Sequence, residues 1–368
     1  MAQEKLSWQS KTVLLAVLPF AGTGVLLSCF EWATESAAVV VWVIGLSALL
    51  GLIVWKLRAA TPAAAATGAL ITASLMFSTG EFPYKPWHTA LIPTLAVSLL
   101  AFAATRIGQA RRERRQRNQS RSIPKALSSS RRDHQGAETL RQNSTGLSNS
   151  GSALGTAEER RGRSASQVAA NLGIAALVSS DPVIVWLLDS RWLPRPAHAG
   201  ALLLAMPLAA LAEAAADTVS SEIGQVLSGR PRMITTLRAV EPGTDGAVSV
   251  AGTLAGLIAA AIVAGAGSWA LRGDWTLFKL SCAGAVFGLF FDSLLGATLE
   301  KKGWLNNDAV NFLSTASASA FALLLLAYLP RPGVGYKIPL ALARQFFDLL
   351  TRQPADLLTR CSADSLTC

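Results

Sequence analysis

Residues 247–269 read AVSVAGTLAGLIAAAIVAGAGSW, an apolar run that contains no charged side chain. A transmembrane helix needs about 20 mostly apolar residues to cross the hydrocarbon core of a bilayer, so this run is long enough to span one. Further apolar runs of similar length are bounded by charged residues, proline or glycine. They cover residues 12–30, 37–55, 63–77, 89–105, 167–187, 199–217, 277–299 and 310–329. The sequence therefore predicts an all-α fold, a polytopic transmembrane helix bundle of about nine spans (roughly eight to ten).

The composition supports the same interpretation. Of the 368 residues, 51% are apolar and only 15% are charged, and the mean hydropathy is +0.38. A soluble domain carries about 25% charged residues, so a water-soluble core could not bury this much apolar sequence. We expect an integral, multi-pass protein of a bacterial inner membrane or its equivalent, with the lipid bilayer as its first partner.

The distribution of Lys and Arg predicts the orientation. Short loops rich in these residues stay in the cytoplasm, and the longest loop, residues 106–166, holds most of the net charge of +10. If the N-terminus is cytoplasmic, the basic loops around residues 230–238 and 301–302 also lie inside. Three arginines in predicted outside loops weaken this bias without reversing it. An alternative for the first run is a signal peptide, because residues 26–29 loosely resemble a lipoprotein cleavage site.

The basic loop divides the chain. Residues 111–161 are rich in Ser, Arg, Gln and Asn and almost free of aromatic residues, so we expect a disordered cytoplasmic loop near anionic headgroups rather than a nucleic-acid partner. After residue 330 the segment 339–350 has the pattern of an interfacial amphipathic helix or of a helix that caps the bundle. The predicted segments are 1–42 (first span), 43–110 (first part of the bundle), 111–161 (basic loop), 162–330 (motif-bearing part) and 331–368 (tail).

Polar residues interrupt the apolar pattern in four stretches. They cover residues 162–171, 216–224, 231–236 with 242–249, and 291–300 with 306–311. The predicted topology places every stretch at an inside helix end. Polar groups in or next to hydrocarbon are costly, so we expect these four stretches to meet in a functional site at the cytoplasmic face.

Carboxylates are the central groups of this predicted site. Residues spaced by three or four share a helix face, which directs Asp217 and Asp292 into the bundle. Hard oxygen ligands suit Mg²⁺ held together with a phosphorylated substrate, and the three histidines lie outside the motifs. We expect Asp217, Asp292 and Glu222 to be the catalytic and metal-binding residues.

Two glycine-containing segments have alternative interpretations. Residues 242–246 precede a predicted helix start, where free backbone N–H groups could bind phosphate. Gly252 and Gly256 have the spacing of close helix packing, which we favour over a ligand role. Glu213 lies four residues before Asp217, and a pairing with Arg163 or Arg238 is as consistent with the sequence as a ligand role.

In their order along the chain, the polar stretches resemble the transmembrane protein 19 family, also called domain of unknown function 92, which includes plant phytyl phosphate kinase. The resemblance runs from about residue 43 to residue 329 and leaves out the first span. It implies transfer of a phosphoryl group from CTP or another nucleoside triphosphate to an isoprenoid lipid monophosphate. The implied substrate-binding residues are Arg163, Gln167, Asn171, Ser221, Gly243, Thr244, Asp245, Gly246, Ser293, Lys301, Asn307 and Asn311.

Phosphoryl transfer requires mainly positioning and charge neutralisation, which Mg²⁺, carboxylates and basic side chains can supply. The sequence contains no Walker-type phosphate-binding motif, which excludes a P-loop mechanism. The alternatives are an ion- or proton-coupled transporter, in which Asp217 and Asp292 bind the ion, and a non-catalytic membrane scaffold.

Overall fold

The computed structural model describes residues 6–122, 162–189, 202–227 and 229–328. Within these ranges the chain forms a bundle of long helices, which confirms the all-α prediction. The helices are α1 (Trp8–Lys56), α2 (Pro62–Ser78), α3 (Leu91–Ser122), α4 (Ala165–Val178), α5 (Asp181–Asp189), α6 (Ala205–Leu227), α7 (Val250–Ala270), α8 (Trp275–Leu295) and α9 (Asn307–Ala327). The predicted amphipathic tail and most of the basic loop lie outside the described residues.

Helix α1 contains two of the predicted spans. Its 49 residues are interrupted by non-helical backbone angles at Ser36, between the predicted runs 12–30 and 37–55. At one end Ser10 Oγ donates a hydrogen bond of 2.6 Å to Asp308. Just beyond the other end, Thr61 N donates to Arg163 O at 3.0 Å. Asp308 and Arg163 lie at the starts of the neighbouring helices α9 and α4, so α1 folds back at Ser36 and returns to the same end of the bundle.

We call this end, which carries Arg163 and Asp308, the inner end, and the opposite end the outer end. Exposed tryptophans mark both. Trp8, Trp55 and Trp304 lie at the inner end, and Trp87, Trp269 and Trp275 lie at the outer end. Tryptophan concentrates at membrane–water interfaces, so the two groups are consistent with a bundle that crosses the bilayer between them. The cytoplasmic location of the inner end remains a prediction.

Five helices in the described ranges are long and apolar enough to cross a membrane, and a sixth span results if the bent pair α4 and α5, at 47°, counts as one. This agrees with a polytopic membrane protein. The predicted number of about nine spans remains a prediction, because α1 counts once although it is folded, α2 is short, and α6 is more polar.

Helix α3 extends further than the sequence suggests. It continues to Ser122, through the first part of the segment 111–161 that was expected to be disordered. Arg, Gln and Glu are strong helix formers, so a helix that leaves the membrane can continue into a charged segment without burying it. The rest of that loop, residues 123–161, lies outside the described residues.

Helix α6 is the centre of the bundle and contacts α3, α4, α7, α8 and α9. Its alanine-rich surface allows neighbouring backbones to approach closely. A Cβ atom added to Gly252 of α7 would lie 2.7 Å from Ser220 O, and one added to Gly256 would lie 2.9 Å from Ala216 O. The prediction that these two glycines serve helix packing is confirmed.

Helix α6 extends beyond the apolar run that predicts the sixth span. The run ends at Asp217 and the polar stretch 216–224 closes it, and α6 continues to Leu227. A run defined by hydropathy stops at the first charge, whereas a helix whose polar face is buried against neighbours can continue past it. Asp217 therefore lies near the middle of α6, although it is level with the ends of α4 and α8.

A short antiparallel pair connects α6 to α7. Strands β1 (Arg232–Met233) and β2 (Ala247–Val248) pair in the register Arg232 with Val248 and Met233 with Ala247. The sequence pattern had placed the turn 242–246 directly before a helix, but α7 begins only after Ser249, whose side chain accepts a hydrogen bond from Gly252 N. The turn is therefore part of a β-hairpin and not a helix N-terminus.

Candidate active site

Arg163 is held in place by backbone hydrogen bonds. Its N–H donates to Ala59 O at 2.9 Å, and its carbonyl accepts from Thr61 N at 3.0 Å. Gly162 precedes it with a φ of +77°, and a Cβ there would lie 2.9 Å from the carbonyl carbon of Ala59. A glycine is required at this position for both reasons. The connection between α1 and α2 thus fixes Arg163 just before the start of α4.

The guanidinium of Arg163 points at α6. Its Nη2 lies 3.4 Å from Thr218 Oγ1. Burial lowers the pKa of Arg163, whereas the neighbouring Glu222 and Asp217 raise it. Arginine remains charged under these conditions, so it supplies a fixed positive charge beside two of the predicted catalytic carboxylates.

Asp217 of α6 and Asp292 of α8 lie with their side chains in hydrogen-bonding contact. Two carboxylates at this separation cannot both be ionised unless a cation lies beside them, so the pair must share a proton or bind a cation. Asp292 Oδ2 is buried without a hydrogen-bond partner in the described part of the chain. The prediction that both aspartates face the bundle interior and meet there agrees with this geometry.

Further acidic groups surround this pair. Glu213 lies one turn below Asp217 on α6 and acts electrostatically on Asp292. Glu300, in the π-helical turn Gly296–Glu300 after α8, is close enough to interact with Asp217 and Asp245. The positive charge of Arg163 is therefore outnumbered, and the immediate surroundings of the Asp217–Asp292 pair have a local excess of negative charge.

The turn 242–246 is positioned by glycine contacts. Gly246 has a φ of +73° and packs directly on Ala297, while a Cβ on Gly296 would lie 2.9 Å from Gly246 N. These contacts bring exposed Asp245 next to Glu300. Gly243 and Thr244 lie on the solvent side, where Thr244 Oγ1 donates to Glu241 O at 2.8 Å.

Other residues predicted to bind substrate have structural hydrogen bonds. Gln167 Oε1 accepts from Ser164 N at 2.9 Å and completes a capping box at the start of α4. Asn171 Nδ2 donates to Gln167 O, Ser221 Oγ to Thr218 O, and Ser293 Oγ to Leu289 O. Asn311 is buried, and its carbonyl accepts from Ser314 and Thr315. Helix capping and packing account for the visible contacts of these five residues.

Lys301 and Asn307 are exposed at the inner end. Among the described residues, neither contributes to the charge interactions of Asp217 or Asp292. The structure therefore brings together Arg163, Asp217, Glu222, Asp292 and, through Glu300, Asp245. It leaves Lys301 and Asn307 at the periphery of this group.

Three functional candidates have a role here that sequence analysis did not assign. Glu300 belonged to a recognised polar stretch but had no assigned role. Asp308 is buried and accepts the hydrogen bond from Ser10, so the first helix is attached to the start of α9. Glu213 is not paired with an arginine in the described residues but is hydrogen-bonded to Ser314. The sequence signal for this role of Glu213 was its position four residues before Asp217, on the same helix face.

The side chains of the site can supply only part of the coordination shell of a divalent cation, and water or phosphate oxygens must complete it. No group of three or more His, Cys, Asp or Glu side chains in the described ranges is arranged to hold a metal ion. Mg²⁺ is commonly bound by one or two carboxylates together with substrate phosphates and water. The adjoining carboxylates of Asp217 and Asp292, with the unpartnered Oδ2 of Asp292, fit such a shared site.

Comparisons with known proteins place this architecture in a family. The sequence profile described as integral membrane protein DUF92 matches residues 45–319. The chain belongs to this family of integral membrane proteins. The matched region contains all of the acidic residues of the site, and it leaves out the first part of α1.

Several curated relatives are similar over part of their length. The uncharacterized membrane protein MJ0933 of Methanocaldococcus jannaschii is 41% identical over 118 residues, which is 32% of this chain and 49% of the relative. The uncharacterized membrane protein sll0875 of Synechocystis is 40% identical over 29% of this chain and 42% of the relative. The chloroplastic protein VTE6 of Arabidopsis thaliana is 34% identical over 31% of this chain and 35% of the relative.

The alignments thus span about half or less of these relatives, 49%, 42% and 35% of their lengths. No solved structure matches the chain. Family membership and membrane location are established by these comparisons, and the chemical activity is not.

Proposed function

We propose that this protein is a prenyl monophosphate kinase, which transfers a phosphoryl group from CTP or another nucleoside triphosphate to an isoprenoid lipid monophosphate. The observation that carries the proposal is the contact between Asp217 and Asp292 next to Arg163 at one end of a membrane bundle. The family includes a plant phytyl phosphate kinase, and the chloroplastic VTE6 protein is among the relatives. A site at the membrane face suits an acceptor whose phosphate is polar and whose tail is apolar.

The reaction needs little covalent chemistry from the protein. The bond between the γ-phosphorus and the oxygen bridging it to the β-phosphate breaks, and a bond forms from the γ-phosphorus to an oxygen of the lipid phosphate. The products are a nucleoside diphosphate and a prenyl diphosphate. The attacking oxygen is already anionic, so no strong base is required, and the protein must mainly overcome repulsion between two phosphates.

The residues of the inner end suit that task. Mg²⁺ held at Asp217 and Asp292 would neutralise charge on the transferred group. Arg163, with its planar fork of donors, can bind phosphate oxygens in a bidentate manner. Glu222 is close enough to act electrostatically on Arg163, so we assign it a supporting role as well as the predicted ligand role.

The test is a product assay with purified protein in lipid nanodiscs. CTP, Mg²⁺ and phytyl or geranylgeranyl monophosphate are supplied, and CDP and prenyl diphosphate are measured together. We expect the two products in equal amounts, and only when both substrates are present. Controls are the corresponding prenyl alcohol and the Asp292→Asn protein. CDP release that is independent of the lipid, or no release with any nucleotide, would contradict the proposal.

An ion- or proton-coupled transporter is the second candidate, because one observation favours it. Glu213 is only 1% exposed and lies within the bundle, where transporters place ion-coupling carboxylates. The same purified protein, reconstituted into sealed liposomes instead of nanodiscs, allows an assay that distinguishes the two functions. A transporter moves ions or protons across the bilayer without consuming CTP, whereas the kinase makes prenyl diphosphate without a transmembrane gradient.

A further inference from the structure

Glu213 is a buried carboxylate that the proposed reaction does not yet use. It is 1% exposed, and its Oε1 is buried without a hydrogen-bond partner among the described residues. A buried ionised carboxylate without a compensating charge is very costly, so its retention in the centre of α6 requires a physical reason.

The surroundings hold this carboxylate in place. Gly288 of α8 leaves room for it, since a Cβ there would lie 2.6 Å from Glu213 Cγ and 3.0 Å from Ser314 O of α9. The side chain of Ser314 is hydrogen-bonded to Glu213. Glu213 is therefore enclosed by α6, α8 and α9, and a glycine provides the space.

The charges around Glu213 do not balance. Asp217 and Asp292 both interact with it. Arg163 compensates Asp217 but is not among the groups that act on Glu213 or Asp292 in the described residues. Asp292 lies one helical turn after Gly288 and has its own buried oxygen, Oδ2, without a partner. Within the described ranges, two unpartnered carboxylate oxygens thus belong to two interacting residues on which no basic group acts.

We propose that Glu213 and Asp292 form a second divalent-cation subsite, one turn deeper in the bundle than the Asp217–Asp292 pair. Carboxylate and hydroxyl oxygens are the ligands that Mg²⁺ and Mn²⁺ prefer, and two carboxylates match the charge of one divalent ion. Asp292 then serves both subsites, as carboxylates do in two-metal phosphoryl-transfer sites. The inference rests on the proposed function, which assigns the subsite at Asp217 and Asp292. The deeper subsite depends on a different residue, Glu213.

The experiment counts bound Mn²⁺ by electron paramagnetic resonance, which reports the free ion, in nanodisc-embedded protein without nucleotide or lipid substrate. We expect about two specifically bound ions for the wild type, about one for Glu213→Gln and none for Asp292→Asn. The remaining ion in Glu213→Gln should bind within about threefold of its wild-type affinity, because Asp217 and Asp292 are unchanged. Glu35→Gln, near the outer bend of α1, is the matched background control and should bind as the wild type does.

A second variant guards against a folding defect in the first. Glu213→Asp keeps the charge but withdraws the carboxylate by one methylene, and we expect about tenfold weaker binding of the deeper ion. Thermal denaturation with and without Mn²⁺ gives an independent signal, because an ion that binds only the folded state raises its midpoint. This increase should be smaller in Glu213→Gln than in the wild type.

The outcomes separate the two proposals. One ion in the wild type, removed by Asp217→Asn and unaffected by Glu213→Gln, would overturn the deeper subsite and leave the kinase proposal intact. Equal binding by the wild type and all variants would show adventitious ions only and would overturn both metal assignments. If the wild-type protein binds two ions but forms no CDP when the lipid substrate is supplied, the kinase proposal alone would be overturned.

Discussion

Helix α8 carries an aspartate near each end, and the two environments are opposite. Asp274 precedes the helix at the outer end, where its Oδ1 accepts hydrogen bonds from Thr276 N at 2.9 Å and Leu277 N at 3.0 Å. Asp292 lies in the last turn, at the negative end of the helix dipole, beside other carboxylates and with an unpartnered oxygen. The same residue type stabilises the fold at one end and costs stability at the other, which indicates that Asp292 is retained for function.

The contrast extends to the rest of the two ends. At the outer end, Thr79 Oγ1 donates to Leu75 O and accepts from Ala90 N, and Thr89 Oγ1 likewise donates to Pro86 O and accepts from Leu91 N. These hydroxyls close turns. At the inner end, Asp217 and Asp292 contact each other instead of backbone donors. A polar residue in a membrane bundle therefore has a structural role where a local backbone group completes its hydrogen bonds. Where no such group does, the residue is a candidate for function.

The largest expected effect is on Asp292. Asp292→Asn keeps the size but removes the cation-binding charge, so activity per folded molecule should fall by about 100-fold or more. The melting temperature should stay the same or rise, because a buried charge beside Asp217 is removed. Product formation is normalised to monodisperse protein, and Asp274→Asn is the control with unchanged activity. Near wild-type turnover by folded Asp292→Asn would remove this residue from the site.

The second prediction concerns the packing that supports the inner end. In Gly252→Ala the new Cβ would lie 2.7 Å from Ser220 O. The variant should therefore be less stable, with a free energy of unfolding about 1–3 kcal/mol below that of the wild type. Gly265→Ala on the same helix meets only Phe278, at 3.9 Å, and should be neutral or slightly stabilising. Chemical denaturation in detergent measures both. Equal effects would show that the approach of α6 and α7 is not as tight as this geometry requires.

Arg163→Lys should have a smaller effect, and on binding rather than on folding. Lysine keeps the charge beside Asp217 and Glu222 but loses the bidentate fork, so KM for the nucleotide or the lipid phosphate should rise about tenfold. Arg106→Lys is the matched control and should leave KM unchanged, since Arg106 Nη2 donates to Leu57 O and the guanidinium lies over the Phe102 ring. A lowered melting temperature with unchanged KM would assign Arg163 to a structural role.

Asp274 should show the smallest effect. Hydrogen bonds from the backbone N–H groups of Leu277 and Thr276 lower the pKa of Asp274. Its stabilisation is therefore present above the pKa of the unfolded state and is lost as the pH falls through the lower pKa of the folded state. At pH 7, Asp274→Ala should cost about 1 kcal/mol, as for other helix caps. Melting curves should show this difference shrinking below about pH 4, and a difference that persists in acid would contradict the cap.

Much of the fold was predictable because hydropathy and helix length are local properties. A run such as residues 247–269 must be a helix in a bilayer, and the predicted runs correspond to helices in the described ranges. Polar stretches at predicted inside ends also indicated one site, and Arg163, Asp217 and Asp292 were named from them. The apolar run ends at Asp217 although α6 continues to Leu227, because burial of the polar face of α6 depends on neighbours that no local window contains.

The chain by itself determined that it forms membrane helices, where its charged stretches lie along them, and which family it belongs to. Only the tertiary structure decided which polar residues are satisfied: Gln167 completes a capping box, whereas Glu213 and Asp292 keep unpartnered oxygens. A capping bond forms within one turn and can be read from spacing. The surroundings of a buried carboxylate depend on α6, α8 and α9 meeting through Gly288 and Ser314, residues distant in sequence, and packing alone brings them together.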